Sequence, residues 1–155
     1  MRGMQALTGE VLDSAQTAAL GAATDDPWAR CVADFLAAKE RRTDSTQTRL
    51  HYERTLQAFA AVCPTHPSRV SPTEIHAFAY APARRRGRAG VIHERPASPA
   101  TIGRRLAVLS SFYAFAMKQI TGHDATGRPV PLCTYNPAAA VERPRVDPYR
   151  EARGL

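Results

Sequence analysis

Arginine is the residue whose number and spacing in this chain best suit a chemical task, the binding of phosphate. The 155 residues carry a net charge of +7. Residues 1–80 hold eight Lys or Arg against nine Asp or Glu, whereas residues 81–155 hold thirteen against five. Arginine presents a planar fork of donors that fits phosphate and guanine edges. The second half therefore predicts a surface for a polyanion, although a GC-rich genome would also raise the arginine content.

Groups that could carry a catalytic reaction are scarce. The stretch RRRGRAG lacks the GK[ST] ending of a phosphate loop, and no GxSxG or HExxH string occurs. One fragment has the form H-x-x-R, at His66 and Arg69, but no reacting set accompanies it. The cysteines Cys31, Cys63 and Cys133 are far apart and odd in number, which favours reduced structural thiols. We therefore predict that this chain is not an enzyme and binds no cofactor and no metal.

Five helices are predicted from capping residues that precede apolar residues at helical spacing. Four of the caps are followed by proline, which suits the first helical position. The predicted caps are Asp26, Ser45, Ser71, Ser98 and Asn136. No convincing strand is present, so the connectors 83–97 and 121–135 are interpreted as loops, the first of them flexible and basic. The predicted fold class is all-α, a compact bundle of four main helices plus a short C-terminal helix.

The fourth helix, over SPATIGRRLAVLSSFYAFAMK, has the most one-sided charge. Its polar side carries Arg104, Arg105 and Lys118 and no acidic residue. Gly122 is predicted to end it. Gly103 inside it costs about 1 kcal/mol relative to alanine. A glycine at this position therefore suggests that DNA or a neighbouring helix approaches the backbone closely. The predicted buried stripe consists of Ile102, Leu106, Leu109, Phe112, Tyr113 and Ala116.

From Phe35 to Arg145 the sequence resembles the N-terminal core-binding domain, a SAM-like domain, of tyrosine recombinases and phage integrases. The most specific segment is TIGRRLAVLSSFYAFA, which looks like the family's T-I-x-R-R-L-s-x-L-r-s-F-Y pattern. SPTEI is similar to the turn before the family's third helix, and YNPAAAVERPR is similar to its N-P…P-R exit. The second helix matches the family's T…Y…L…F places with Thr48, Tyr52, Leu56 and Phe59.

The resemblance implies a clamp on double-stranded DNA, with the second and fourth helices against the major groove. Arg104 is predicted to contact a base, and Arg105 a phosphate. The other implied DNA contacts are Thr46, Gln47, His51 and Arg54 on the second helix and Arg85 and Arg86 in the basic connector. Family members often carry a basic residue where Ser110 stands, so this chain is expected to make fewer groove contacts.

The resemblance also divides the chain into three parts. Residues 1–24 are a loosely ordered lead-in, residues 25–143 are the DNA-binding domain, and residues 144–155 are a linker towards a catalytic domain. The family's catalytic residues are absent from the sequence. The expected partners are double-stranded DNA and other recombinase protomers on it, with no membrane and no small-molecule substrate. The expected location is cytoplasmic.

Other classes of function fit the same composition. One is a stand-alone DNA-binding regulator or decoy, and another is a helical protein-interaction module whose arginines only increase solubility. A helix-turn-helix regulator is disfavoured, because the third and fourth helices are joined by a long connector and not by a turn of about 3 to 4 residues. These alternatives stay open at the level of sequence.

Overall fold

The computed structural model describes residues 26–146, which contain four α-helices and two β-hairpins. The helices are α1 (Pro27–Thr43), α2 (Thr46–Val62), α3 (Pro72–Ala79) and α4 (Pro99–Ala116). The strands are β1 (Ala83–Arg86), β2 (Ile92–Arg95), β3 (Ile120–His123) and β4 (Pro129–Pro131). One hairpin therefore lies between α3 and α4, and the other follows α4. The predicted lead-in 1–24 and the last part of the predicted linker, 147–155, lie outside the described residues.

The four caps predicted before these helices are confirmed, because each side-chain oxygen accepts a hydrogen bond from an amide of the first turn. Asp26, Ser45, Ser71 and Ser98 accept from the amides of Trp28, Thr48, Glu74 and Thr101. The capping box at α3 is complete, since the Glu74 carboxylate also accepts from the amide of Ser71 at 2.8 Å. These caps fix where each helix starts, and so which of its side chains point to the core.

The core lies where α1, α2 and α4 meet, and Phe35 of α1 is at its centre. The Phe35 ring lies 5.7 Å from the ring of Tyr52 and 5.6 Å from the rings of Phe112 and Phe115. Trp28 contacts the same cluster, with its ring 6.0 Å from Phe112. The predicted stripe of α4 is confirmed, since all six of its side chains are buried. The exposed sides of α2 and α4 are therefore set by the packing of their buried sides.

The prediction of an all-α fold is wrong, because two antiparallel hairpins make the fold mixed α/β. In the first, Ala83 lies opposite Arg95 and Arg86 lies opposite Ile92. In the second, β3 pairs with β4, and the turn between them is stabilised by the side chain of Asp124. Asp124 accepts from the amides of Thr126 and Arg128, and Gly127 has a φ of 80°. Both segments predicted as loops thus carry paired strands.

Two smaller predictions about the C-terminal half are also wrong. Gly122 does not end a helix: α4 ends at Ala116, and Gly122 lies within β3. The short helix predicted after Asn136 is a pair of turns, in which Asn136 accepts from the amides of Ala138 and Ala139. The Asn136 side-chain amide also donates to the Ser110 carbonyl of α4 at 3.0 Å. Asn136 therefore holds this segment against α4 and does not start a helix.

Among the helices of residues 26–146, none combines the length and the apolar character that a membrane crossing requires.

Candidate nucleic-acid interface

The predicted contact residues of α2 share one exposed side of the helix. Gln47, His51 and Arg54 are all exposed and are spaced at i, i+4 and i+7, so they point in nearly the same direction. The exposed Ala58 continues this side by one further turn. The hydroxyl of Thr46 is already engaged, because it donates to the Glu40 carboxylate at 3.3 Å. The α2 side offered to a ligand therefore consists mainly of an amide, an imidazole and a guanidinium.

The two neighbouring arginines of α4 have different surroundings. Arg104 is exposed and has no acidic partner within residues 26–146. Arg105 is half-buried, and its Nη1 donates to the carbonyls of Ala79 at 3.1 Å and Ala81 at 2.6 Å. A third, longer bond of 3.4 Å reaches the carbonyl of Phe78, whose ring also lies below the guanidinium.

Arg105 therefore caps the C-terminal end of α3. Helix ends leave their last carbonyls without intrahelical partners, and a guanidinium satisfies several of them at once. Burial lowers the pKa of Arg105 below its usual range. The structure thus gives Arg105 a role in joining α3 to α4 that the sequence did not predict, and the phosphate contact of this residue stays a prediction.

Substitution of Arg105 by alanine is expected to lower the free energy of unfolding by about 1.5 to 3 kcal/mol, the range for hydrogen bonds to a charged group. The neighbouring substitution Arg104→Ala removes the same side chain from an exposed position and should change stability by less than about 0.5 kcal/mol. Urea unfolding of the two variants provides the comparison. Equal unfolding midpoints would contradict the capping role of Arg105.

Gly103 has open space in front of it. Apart from the adjacent residues and the backbone of α4 itself, no heavy atom lies within 4 Å of the position that a Cβ would take, so within the described residues no neighbouring helix requires a glycine here. Of the two explanations considered for this residue, the approach of an external molecule fits the open surface. Gly103 and the exposed Arg104 are adjacent in the first half of α4.

The two predicted contact residues of the β1–β2 hairpin, Arg85 and Arg86, lie on opposite faces of strand β1. Consecutive side chains of a strand point to opposite faces, so Arg85 and Arg86 do not act side by side. Arg85 lies opposite His93 in the register, and Arg86 lies opposite Ile92. The sequence prediction missed His93 and Arg95. The sequence does hold a signal for them, the pattern R-x-R at 84–86 and the pattern H-x-R at 93–95 on either side of a turn. The two patterns can be related to each other only when the segment is treated as a hairpin.

A groove of about 570 Å³ shows how these elements lie relative to one another. It is lined by Ala58 of α2, Arg84 of β1 and Arg105 of α4, among others. The exposed side of α2 thus runs towards the β1–β2 hairpin and the first half of α4. The groove walls also include Val62 and Phe78, and they are mainly apolar.

The fragment H-x-x-R lies in a short 3-10 turn, Pro67–Arg69. The Nδ1 atom of His66 accepts from the amide of Ser68 at 3.3 Å, and the His66 ring packs edge-on against Trp28 at 6.0 Å. These contacts give His66 a structural role.

Burial raises the pKa of the Cys31 thiol to about 11, which keeps it protonated at neutral pH.

Comparison of this chain with protein-family models, with curated protein sequences and with solved structures finds no match. The residues and their geometry therefore define its class: a small mixed α/β domain whose exposed surface is strongly cationic between β1 and α4. The likeness to recombinase core-binding domains remains a prediction from the sequence.

Proposed function

We propose that this chain binds double-stranded DNA sequence-specifically, as the core-binding domain of a site-specific tyrosine recombinase or integrase. The observation that carries the proposal is the distribution of charge between residues 83 and 118. This segment has seven arginines and one lysine but a single acid, Glu94, which is paired with Arg84 at 3.1 Å. Within this segment, the exposed guanidiniums that have no acidic partner in residues 26–146 are those of Arg85, Arg86, Arg88, Arg95 and Arg104.

A surface of one sign is unusual for a purely solvated face, which normally mixes acids and bases. It raises the local concentration of a polyanion and accelerates its association. The major groove of DNA admits an α-helix, and arginine bound in a bidentate manner to guanine is the commonest specific contact there. Arg104 suits this contact, because it is exposed next to the open surface at Gly103.

The exposed side of α2 supplies further groups of the kind that read or position DNA. Gln47 can pair with adenine, while His51 and Arg54 can donate to phosphate or base edges. Arg105 is left out of the proposed contacts, because its Nη1 is bonded to carbonyls of α3 and of the residues that follow it. The proposal assigns DNA binding to this chain and no catalytic step.

The experiment is selection from a pool of random duplexes, followed by affinity measurements on the enriched duplex and on a scrambled one. The wild-type chain is expected to enrich one sequence. Arg104→Ala should weaken binding of the enriched duplex about 5- to 150-fold, the equivalent of about 1 to 3 kcal/mol, and should weaken the scrambled duplex less.

The matched control is Arg30→Ala, which removes the same charge from an exposed position near the start of α1. It should change both affinities little. If the pool yields no enriched sequence, or if Arg104→Ala behaves like Arg30→Ala on the enriched duplex, sequence-specific binding through α4 is wrong.

A further inference from the structure

The β1–β2 hairpin has two faces of different charge. Side chains of residues directly opposite each other in an antiparallel pair lie on the same face. Arg84 and Glu94 are such a pair, and they form a salt bridge of 3.1 Å. Both line the groove that α2 and Arg105 also line. We call this the inner face; the charges of Arg84 and Glu94 cancel on it, and Arg86, two positions along β1, adds one positive charge.

The opposite face of the hairpin has no acid. Arg85 and His93 form one cross-strand pair on it, and Arg95 follows at the next position of the same face. Arg88 lies in the connecting turn. These four residues are all exposed, and we call them the cationic face. Because the inner face turns towards the groove, the cationic face turns away from it.

A concavity of about 370 Å³ is present at the cationic face. Its lining consists of the four residues of the cationic face together with Gly87 and with Arg86, whose place in the strand is on the inner face. The concavity shares no residue with the groove of the inner face. The His93 ring lies directly over Gly87: a Cβ there would come within 2.9 Å of its Cδ2 and Nε2 atoms. Gly87 has an extended backbone, with φ at −83°. Glycine is therefore needed here for the position of the imidazole and not for the backbone.

We infer that the cationic face of the β1–β2 hairpin is a phosphate-binding site, and that its ligand is the sugar-phosphate backbone of the duplex. The identity of the ligand rests on the proposed DNA-binding function, whereas the phosphate chemistry rests on the hairpin alone. Guanidinium forks match phosphate oxygens in pairs. No carboxylate within residues 26–146 lies on this face to compete for them.

The first experiment measures phosphate binding without any DNA, by titrating the whole chain with inorganic pyrophosphate at low salt and recording amide NMR shifts. Saturable shifts are expected at Gly87 and Arg88. The double variant Arg85→Ala/Arg95→Ala should lose them. Cross-strand contacts between the Hα protons of Arg86 and Ile92 show whether that variant still forms the hairpin.

A second variant keeps every charge in place. Gly87→Ala should displace the His93 ring, because the added methyl would occupy its position. It is expected to weaken the pyrophosphate response although the net charge is unchanged. A response in Gly87→Ala equal to that of the wild type, or no saturable response in the wild type, would overturn the site, since attraction by net charge alone does not depend on the imidazole.

The third measurement identifies the source of the phosphate. Each phosphate contact adds about 0.9 to the slope of log affinity against log salt for duplex DNA. Arg85→Ala/Arg95→Ala should therefore lower that slope by about 2, and it should weaken enriched and scrambled duplexes by the same factor. The matched control is Arg30→Ala/Arg128→Ala. It removes two charges elsewhere, one of them in the hairpin at the far end of α4, about 27 Å along the helix.

The outcomes separate the two proposals. An unchanged slope in Arg85→Ala/Arg95→Ala overturns the assignment to the duplex backbone. Pyrophosphate binding at the hairpin in a chain that binds no duplex contradicts the DNA-binding function and, with it, that assignment. Duplex binding without a pyrophosphate response at the hairpin overturns only the site on the cationic face.

Discussion

Raising the salt concentration from 50 to 200 mM is expected to weaken binding of a short duplex about 10³-fold. The number follows from the exposed guanidiniums that have no acidic partner within residues 26–146. Six of them lie on the elements proposed to contact DNA, which are α2, the β1–β2 hairpin and α4: Arg54, Arg85, Arg86, Arg88, Arg95 and Arg104. Each one that neutralises a phosphate releases condensed counterions, and added salt opposes that release.

The measurement is fluorescence anisotropy of a labelled duplex across a salt series, with unfolding followed at the same salt concentrations. Stability should change little with salt, because the ion pairs within the described residues are exposed and such pairs contribute about 0 to 1 kcal/mol. The loss of affinity is then a property of the complex. An affinity that does not depend on salt, or no binding at low salt, would show that the cationic surface serves another purpose.

Substitution of Phe35 by alanine is expected to lower the free energy of unfolding by about 3 to 5 kcal/mol. Phe35 is 1% exposed, and its ring contacts aromatic rings of both α2 and α4. Its removal leaves a cavity at the junction of three helices. Because domains of this kind are stable by about 5 to 15 kcal/mol in total, the variant should lose a large part of its stability.

Chemical denaturation tests this expectation, with Val62→Ala as the control. Val62 is also apolar and helical but is 67% exposed, so its truncation should change stability by no more than about 0.5 kcal/mol. If the two variants unfold at the same denaturant concentration, Phe35 is not at the centre of the core. Loss of duplex binding in Phe35→Ala should appear only where the chain is unfolded.

The helices could be predicted because their signals are local. A cap such as Ser71 and its partner Glu74 are three residues apart, and the apolar stripe of α4 repeats within one helix. The strands could not be predicted in the same way. Four consecutive residues such as Ala83–Arg86 show no alternation of apolar and polar side chains, and the strand forms through backbone bonds to a partner segment. The turn over Asp124 and Gly127 was the one readable sign of a hairpin.

The same distinction applies to the candidate site. The exposed side of α2 followed from helical spacing, since Gln47, His51 and Arg54 fall on one side of any regular helix. The role of Arg105 did not, because the carbonyls that it binds belong to residues 24 to 27 positions earlier in the chain. From sequence, Arg104 and Arg105 look alike, and only tertiary packing distinguishes them.

The β1–β2 hairpin also determines how much entropy is lost when a ligand arrives. A flexible basic connector would have to be ordered on binding, at about 1 to 2 kcal/mol for each residue whose backbone is fixed. Here the backbone is paired in the free chain, and only Pro96 and Ala97 separate β2 from the cap of α4. Ala97 packs against the core. The backbone ordering entropy is thus lost when the chain folds, so a ligand of the cationic face has to order only the exposed side chains and not the backbone.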